Sequence, residues 1–193
     1  LDKRGYRFKK YQNYEKIFKD TEAFDAICYG EGEIPLSNMM KSTDMLKCFE
    51  EGDSWITKDK ILSQSRFRHN FIWDLNAIPF DYSVINDADY SINPTIKYYA
   101  GERVEKKSFN IMTSRGCPFR CIFCASHATH GRKMRYESLD RVKSNILHLK
   151  NIGVEVITFE DDHFMGDKKR AYEIIKYIGS MGLTAFFPNS LAV

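Results

Sequence analysis

The second half of the chain alternates between a strand-like and a helix-like apolar pattern, and this restricts the fold more than any other feature. Residues Ser108 to Thr113 read as a β-strand. A helix follows after a loop: in ESLDRVKSNILHLKNIG, Leu139, Val142, Ile146 and Leu149 recur at spacings of three and four, Ser138 supplies an N-cap and Gly153 a stop. VEVITF, residues 154 to 159, is rich in β-branched side chains and reads as a buried strand. The pattern then repeats. Asp167 caps a helix whose buried stripe is Ala171, Ile174, Ile175, Ile178 and Met181, Gly182 ends it, and LTAFF, residues 183 to 187, is the next strand. Strand, helix, strand, helix, strand implies an α/β fold with parallel strands and right-handed crossovers, the N-terminal half of a βα barrel. In such sheets the loops at the carboxyl ends of the strands carry the site. Three loops qualify: the cysteine-bearing loop after residue 113, Glu160 to Phe164, and Pro188-Asn189-Ser190.

The first half is less regular. It predicts a helix at residues 11 to 23, a short strand DAICY at 25 to 29, the turn Gly30-Glu31-Gly32-Glu33 and a Met-rich helix to about residue 50. Together these resemble the tail of an α/β domain. Residues 51 to 107, with Pro79, Asn93-Pro94 and Gly101-Glu102, read as a linker with room for one small hairpin. The expected division is therefore 1–50, 51–107 and 108–193.

With 43% apolar and 14% aromatic residues the chain can bury a real core. Its 29 basic and 26 acidic residues leave a charge of +3, and the pairs Lys9-Lys10 and Lys106-Lys107 are scattered, which argues against nucleic acid as a partner. No apolar run approaches the roughly 20 residues that span a bilayer, and the opening LDKRGYRFKK lacks a signal-type apolar stretch, so a cytoplasmic protein is expected. Because it opens on Leu1 and stops at Val193, it is expected to be a fragment of a longer protein.

Five cysteines, an odd number, argue against a disulfide framework and for a reducing compartment. Three of them, Cys117, Cys121 and Cys124, fall in RGCPFRCIFC and can converge on one metal centre. Soft thiolates suit zinc or an iron-sulfur cluster. Cys28 and Cys48 lie in a predicted strand and a predicted helix and read as buried small hydrophobes. A zinc knuckle completed by His127 or His130 is one reading. The other is a four-iron cluster with three protein ligands and one iron open to an exogenous ligand. The second takes precedence, because the cysteines directly follow a strand that opens a βα array.

The spacing C-x3-C-x2-C, with the aromatic Phe123 before the last cysteine, resembles the signature of the radical S-adenosylmethionine (SAM) superfamily. The likeness runs on through Asp25 to Glu33, Asp74-Leu75-Asn76-Ala77-Ile78-Pro79-Phe80, Thr113 to Phe119 and Phe159-Glu160-Asp161-Asp162-His163-Phe164, in the order seen in cobalamin-binding-domain radical SAM proteins. That resemblance implies a partial radical SAM barrel preceded by the C-terminal end of a Rossmann-like cobalamin-binding domain and a linker. It implies a [4Fe-4S] cluster on the three cysteines, with the methionyl amine and carboxylate of SAM on the open iron and Phe123 near the adenine. It also implies cobalamin as a further cofactor, a reductant such as flavodoxin or ferredoxin, and a small-molecule or peptide substrate.

The chain departs from the family pattern in two places. Phe159-Glu160-Asp161-Asp162 stands where many radical proteins have a Gly-Gly-Glu stretch, so Glu160, Asp161 and Asp162 inherit the role of meeting the methionyl amine. Pro188-Asn189-Ser190 stands for a Pro-Asn-Gly turn, from which Asn189 could touch the cofactor or simply make the turn. Arg115 and Arg135 could each grip a carboxylate or act as struts. Asp161-x-His163-x-x-Gly166 satisfies a cobalamin-ligand pattern, but it follows the cysteine loop within the barrel pattern, so His163 is not expected to ligate cobalt. Methyl transfer is the leading activity. Sulfur insertion of the methylthiotransferase kind would need a second set of three cysteines, and a zinc or iron-sulfur binding module is the reading outside enzymes.

Overall fold

The computed structural model describes residues 16–18, 23–63, 67–68, 70–78 and 106–189. Of the helix expected at 11 to 23, residues 11–15 and 19–22 lie outside the described residues and Ala23 is a bend; Pro79-Phe80, residues 81–105 of the linker in which a hairpin is expected, and Ser190 also lie outside them. The chain forms two compact units that divide after Ile72.

In the first unit residues 16–18 are helical, and β1 (Ile27–Cys28) pairs antiparallel with β2 (Trp55–Ile56). Helices α1 (Glu33–Lys41) and α2 (Met45–Glu51) run between the strands, and α3 (Lys58–Leu62) follows β2. The single Met-rich helix predicted here is broken after Lys41. Ser42 Oγ accepts the Asp44 amide at 3.1 Å, and Asp44 then caps a new helix by accepting the Lys47 amide at 3.1 Å. Such local bonds compete with helix continuation. Phe18, Tyr29, Ile56 and Ile61 form the core of this unit. Glu31, in the Gly30 to Glu33 turn, is buried and accepts the Ile72 amide at 2.7 Å. β2 and α3 therefore belong with the first unit, although they fall inside the stretch that the sequence reads as a linker from residue 51. The one strand pair among the described residues of this unit is antiparallel, and the parallel strands of a Rossmann-like domain are not shown among them. Cys28 and Cys48 sit in β1 and α2 as expected, half-buried.

The second unit is built on a parallel sheet. β3 (Ser108–Ile111), β6 (Val156–Phe159) and β7 (Thr184–Phe186) lie side by side in that order, both pairs parallel. Between β3 and β6 the chain makes β4 (Ser114–Arg115), α4 (Ser126–Thr129), β5 (Arg135–Tyr136) and α5 (Leu139–Asn151), while α6 (Lys168–Ser180) joins β6 to β7. Both long helices start where the sequence predicts. Ser138 Oγ accepts the Arg141 amide at 3.3 Å, and Asp167 accepts the Arg170 amide at 3.0 Å.

The sheet places Phe109, Ile157 and Ala185 in one register row and ends the same side with Ile111, Phe159 and Phe187. These pack against Val142, Ile146 and Leu149 of α5 and Ala171, Ile174 and Ile178 of α6. Side chains alternate along a strand, so Asn110, Thr158 and Glu160 fall on the opposite face. All four residues of β6 are buried, as expected of a central parallel strand. One expectation for α6 fails: Ile175 is 40% exposed. It lies about 100° around the helix from Ile174, outside the stripe that the sheet covers.

At the N-terminus of α5 the 3-10 turn Leu75–Ala77 is strapped down by Arg141. The guanidinium donates to Glu137 Oε1 at 3.1 Å, to the Asn76 carbonyl at 2.7 Å and to the Ile78 carbonyl. Asn76 Oδ1 in turn accepts the Ser138 amide at 2.9 Å. Among the described residues no helix is long and apolar enough to cross a membrane.

The burial pattern of α6 predicts that Ile174→Ala costs about 2–5 kcal/mol, the range for a fully buried aliphatic truncated to alanine. Ile175→Ala is expected to stay within roughly 0.5 kcal/mol of the parent, as exposed substitutions do. Denaturant unfolding of the two variants tests the register of the helix, and equal losses would overturn it.

Candidate active site

Three segments meet at the carboxyl edge of the parallel sheet: the loop after β3, the end of β6 and the turn after β7. The first carries the cysteines. β4 and β5 pair antiparallel, Ser114 opposite Tyr136 and Arg115 opposite Arg135, so residues 116–134 form an excursion closed at its base by a short ladder. Gly116 begins it with φ +91, and a Cβ there would lie 2.4 Å from the Lys133 carbonyl oxygen. Both the positive φ and this close backbone approach require glycine. Inside the excursion the Cys117 amide donates to the Gly131 carbonyl and the Cys124 amide to the Cys121 carbonyl, each at 3.2 Å.

Cys117 and Cys124 are half-buried and Cys121 is exposed. The thiols share one loop, but among the described residues no three His, Cys, Asp or Glu side chains form a group that could hold a metal ion. Backbone turns and a bond from Arg132 to the Phe119 carbonyl position this loop internally, and bonds to a metal supply the force that gathers such ligands. By donor chemistry the set fits an iron-sulfur cluster, being three soft thiolates that solvent can reach. Phe119, Ile122 and Phe123 project outward among them, Phe123 at 89% exposure, which leaves an aromatic face free for a flat apolar ligand.

The carboxylates at the end of β6 divide by the alternation of the strand. The Glu160 amide still donates to the Ile111 carbonyl at 2.8 Å, so the ladder extends to this residue. Its side chain falls on the face away from the helices and accepts from Asn110 Nδ2 at 3.1 Å. Asp161 points to the helix side and is 1% exposed. It accepts the Thr113 amide at 3.1 Å, Thr113 Oγ1 at 2.9 Å and the Ser114 hydroxyl. Asp161, expected to meet the cofactor amine, is thus engaged inside the protein. Burial pushes its carboxyl above the usual range, against the bonds from Ser114 and Thr113 and the charge of Arg170.

Arg170, on α6, completes this hub. It is buried, donates through Nε to the Glu137 carbonyl at 3.1 Å and through Nη2 to the Thr113 carbonyl at 2.8 Å, and sits 5.2 Å over the Tyr136 ring. The sequence reading passed over it. A signal existed, since Arg170, Ile174 and Ile178 recur every four residues, which sets a guanidinium on the buried stripe. Arg135 is also a strut rather than an open fork: it is 5% exposed and donates to the His130 carbonyl at 2.7 Å. Asn189 draws the third loop in by donating to the carbonyls of Glu160 at 3.2 Å and Asp161 at 3.3 Å.

Asp162 is half-buried with its Oδ2 2.9 Å from His130 Nδ1. Burial raises its pKa, but the polar groups facing it, His130 first, then Ser126 and the Gly116 amide, outweigh that and leave it below the usual range. His127 lies exposed on α4, and His163 is buried with its ring edge-on to Phe119 at 5.0 Å.

Two outcomes follow from this geometry. Gly116→Ala should cost more than the roughly 1 kcal/mol of an ordinary strained Gly-to-Ala change, because backbone obstructs the new methyl, and thermal unfolding reads the loss. Asp161 binds its proton more tightly folded than unfolded, so its contribution to stability rises as pH falls from neutral through the raised folded value and levels off below the ordinary aspartate range. Asp161→Asn should lack that increment in unfolding free energy measured against pH, and an increment of opposite sign in the parent would refute the assignment.

Residues 111–187 match the Radical SAM superfamily. Over 174 residues, 88% of this chain and 35% of the relative, the sequence is 30% identical to an uncharacterized methyltransferase of Pyrococcus horikoshii. It is 30% identical over 97 residues to cytidylyl-2-hydroxyethylphosphonate methyltransferase of Streptomyces wedmorensis, covering 50% of this chain and 17% of that protein. Against hopanoid C-2 methylase of Rhodopseudomonas palustris the figures are 25% over 91 residues, 47% and 17%. The chain therefore spans 35% of the length of the first relative and 17% of the other two. A parallel βα sheet with a C-x3-C-x2-C loop at its carboxyl edge, within a matching domain, makes this chain a member of the radical SAM superfamily.

Proposed function

We propose that the chain carries the cluster- and SAM-binding part of a radical SAM methyltransferase, and that the whole protein uses cobalamin to relay the methyl group. The observation that carries this reading is the set of three reachable thiols, without a fourth on their loop, at the carboxyl edge of a parallel sheet. Cys117, Cys121 and Cys124 hold the [4Fe-4S] cluster. When bound and reduced, the cluster supplies the electron that breaks the sulfonium of SAM. Glu160, on the open face, accepts the methionyl amine through a charge-assisted bond. Phe123 offers its exposed ring to the adenine. Asn189 fixes the turn beside Glu160 through the backbone of the strand end. Methyl transfer is favoured over sulfur insertion by the relatives, which are named as methyltransferases or a methylase, and by the two cysteines left over, one short of a second triad. A flavodoxin or ferredoxin supplies the electron, and the substrate is a small molecule or peptide.

Anaerobic reconstitution of the full-length protein tests the reading. Iron and sulfide should load together, and the reduced protein should turn SAM into 5′-deoxyadenosine or S-adenosylhomocysteine. Replacing any one of the three cysteines by alanine should abolish that conversion. Cobalt should co-purify with the full-length protein. Zinc without sulfide, or SAM left intact by the loaded and reduced protein, would refute the proposal.

A further inference from the structure

The resemblance assigned Asp162 to the cofactor amine together with its two neighbours, but its bonds run elsewhere. Its Oδ2 lies 2.9 Å from His130 Nδ1, with the two side chains 15% and 19% exposed. The Ser126 hydroxyl and the Gly116 amide also face this carboxylate and favour its charged form. His130 and Gly116 stand at opposite ends of the cysteine loop, Gly116 directly before Cys117 and His130 directly after α4. His130 is in turn fixed from its other side, where its carbonyl accepts Arg135 Nη2 at 2.7 Å.

The geometry points to Asp162 as a latch that draws both ends of the cysteine loop onto the end of β6, with Asp162 and His130 acting as positioning residues for the three thiols. This rests on the thiols being cluster ligands, as proposed above. Within the excursion the loop is shaped by short backbone turns, α4 and a bond from Arg132 to the Phe119 carbonyl, so the anchoring of its ends bears on how far each thiol reaches. Charge-assisted bonds suit that role because they are shorter and stronger than neutral ones, and partial burial protects this pair from screening. The division of labour among the carboxylates also becomes physical. Asp161 braces the strand ends, Asp162 closes the loop, and Glu160 alone has its side chain on the open face.

Hydrogen exchange on the unloaded full-length protein gives the first test. In Asp162→Ala and in His130→Ala, amides of residues 116–131 should exchange at least roughly tenfold faster, the change expected from losing one hydrogen bond to a charged group, while β6 and α5 keep their protection. After reconstitution, iron should pass to a chelator roughly ten- to a hundredfold faster than in the parent, as for other groups that orient metal ligands. The electron paramagnetic resonance signal of the reduced cluster should shift as well. If the two residues act as one device, the double variant should lose no more than the worse single variant. Parental exchange in the loop of Asp162→Ala overturns the latch, as does a loss of protection that spreads equally through β6 and α5 in both single variants. Should Asp162→Ala fail to fold, His130→Ala decides on the same readings. A protein that takes up no cluster yet shows the loop-limited change in exchange supports the latch and refutes the cluster.

Discussion

A carboxylate with 1% exposure has to be satisfied by the protein that surrounds it, and Asp161 is satisfied by three hydrogen bonds from two adjacent residues of the second unit. Thr113 and Ser114 supply its donors where β3 gives way to β4, and Arg170 brings α6 to the same place by taking the Thr113 carbonyl. The end of β3, the end of β6 and the first turn of α6 therefore cannot move independently. Arg170 extends the tie to the Glu137 carbonyl, directly before the cap of α5. Neither charge would be tolerated alone at this depth. Together they fix the edge of the sheet on which the candidate site stands.

Everything chemical at that edge follows from where Asp161 points. Because it faces the helices, the alternation of the strand sends Glu160 to the opposite face beside Asn110. The chain then leaves the strand, which frees Asp162 to reach His130. Three consecutive carboxylates, alike in the sequence, acquire three environments. The cysteine loop depends on the same edge, since β4 starts at Ser114, one of the Asp161 donors, and pairs with β5 to close the base of the excursion. Gly116 passes so near Lys133 that only a residue without a Cβ fits the entry.

Much of the second unit was legible because the signals are local. Ser138 and Asp167 cap helices where their side chains face free amides, and the apolar spacing of α5 and α6 marks the faces that the sheet covers. The β-branched run at 154 to 159 gave a central strand. The first half was less legible for a related reason. Its strands contain two residues each and pair antiparallel across two helices, leaving no periodic pattern long enough to read. The β4–β5 ladder was invisible on the same grounds, and Arg170 was passed over because a charge on a helix normally belongs outside.

By itself the sequence determined which residue types occur and at what spacing: three thiols on one loop, carboxylates at the end of a strand, and the strand–helix alternation that brings both to one edge of a parallel sheet. Spacing is enough for these because ligand identity and local periodicity are properties of neighbouring residues. Only the tertiary structure decided which carboxylate braces, which holds the loop and which faces outward. It also decided that Arg135 and Arg170 are internal struts. Those roles are set by burial and by partners distant in the chain, Asp161 meeting Thr113 and Asp162 meeting His130, and no local pattern records a contact that exists only once the strands are side by side.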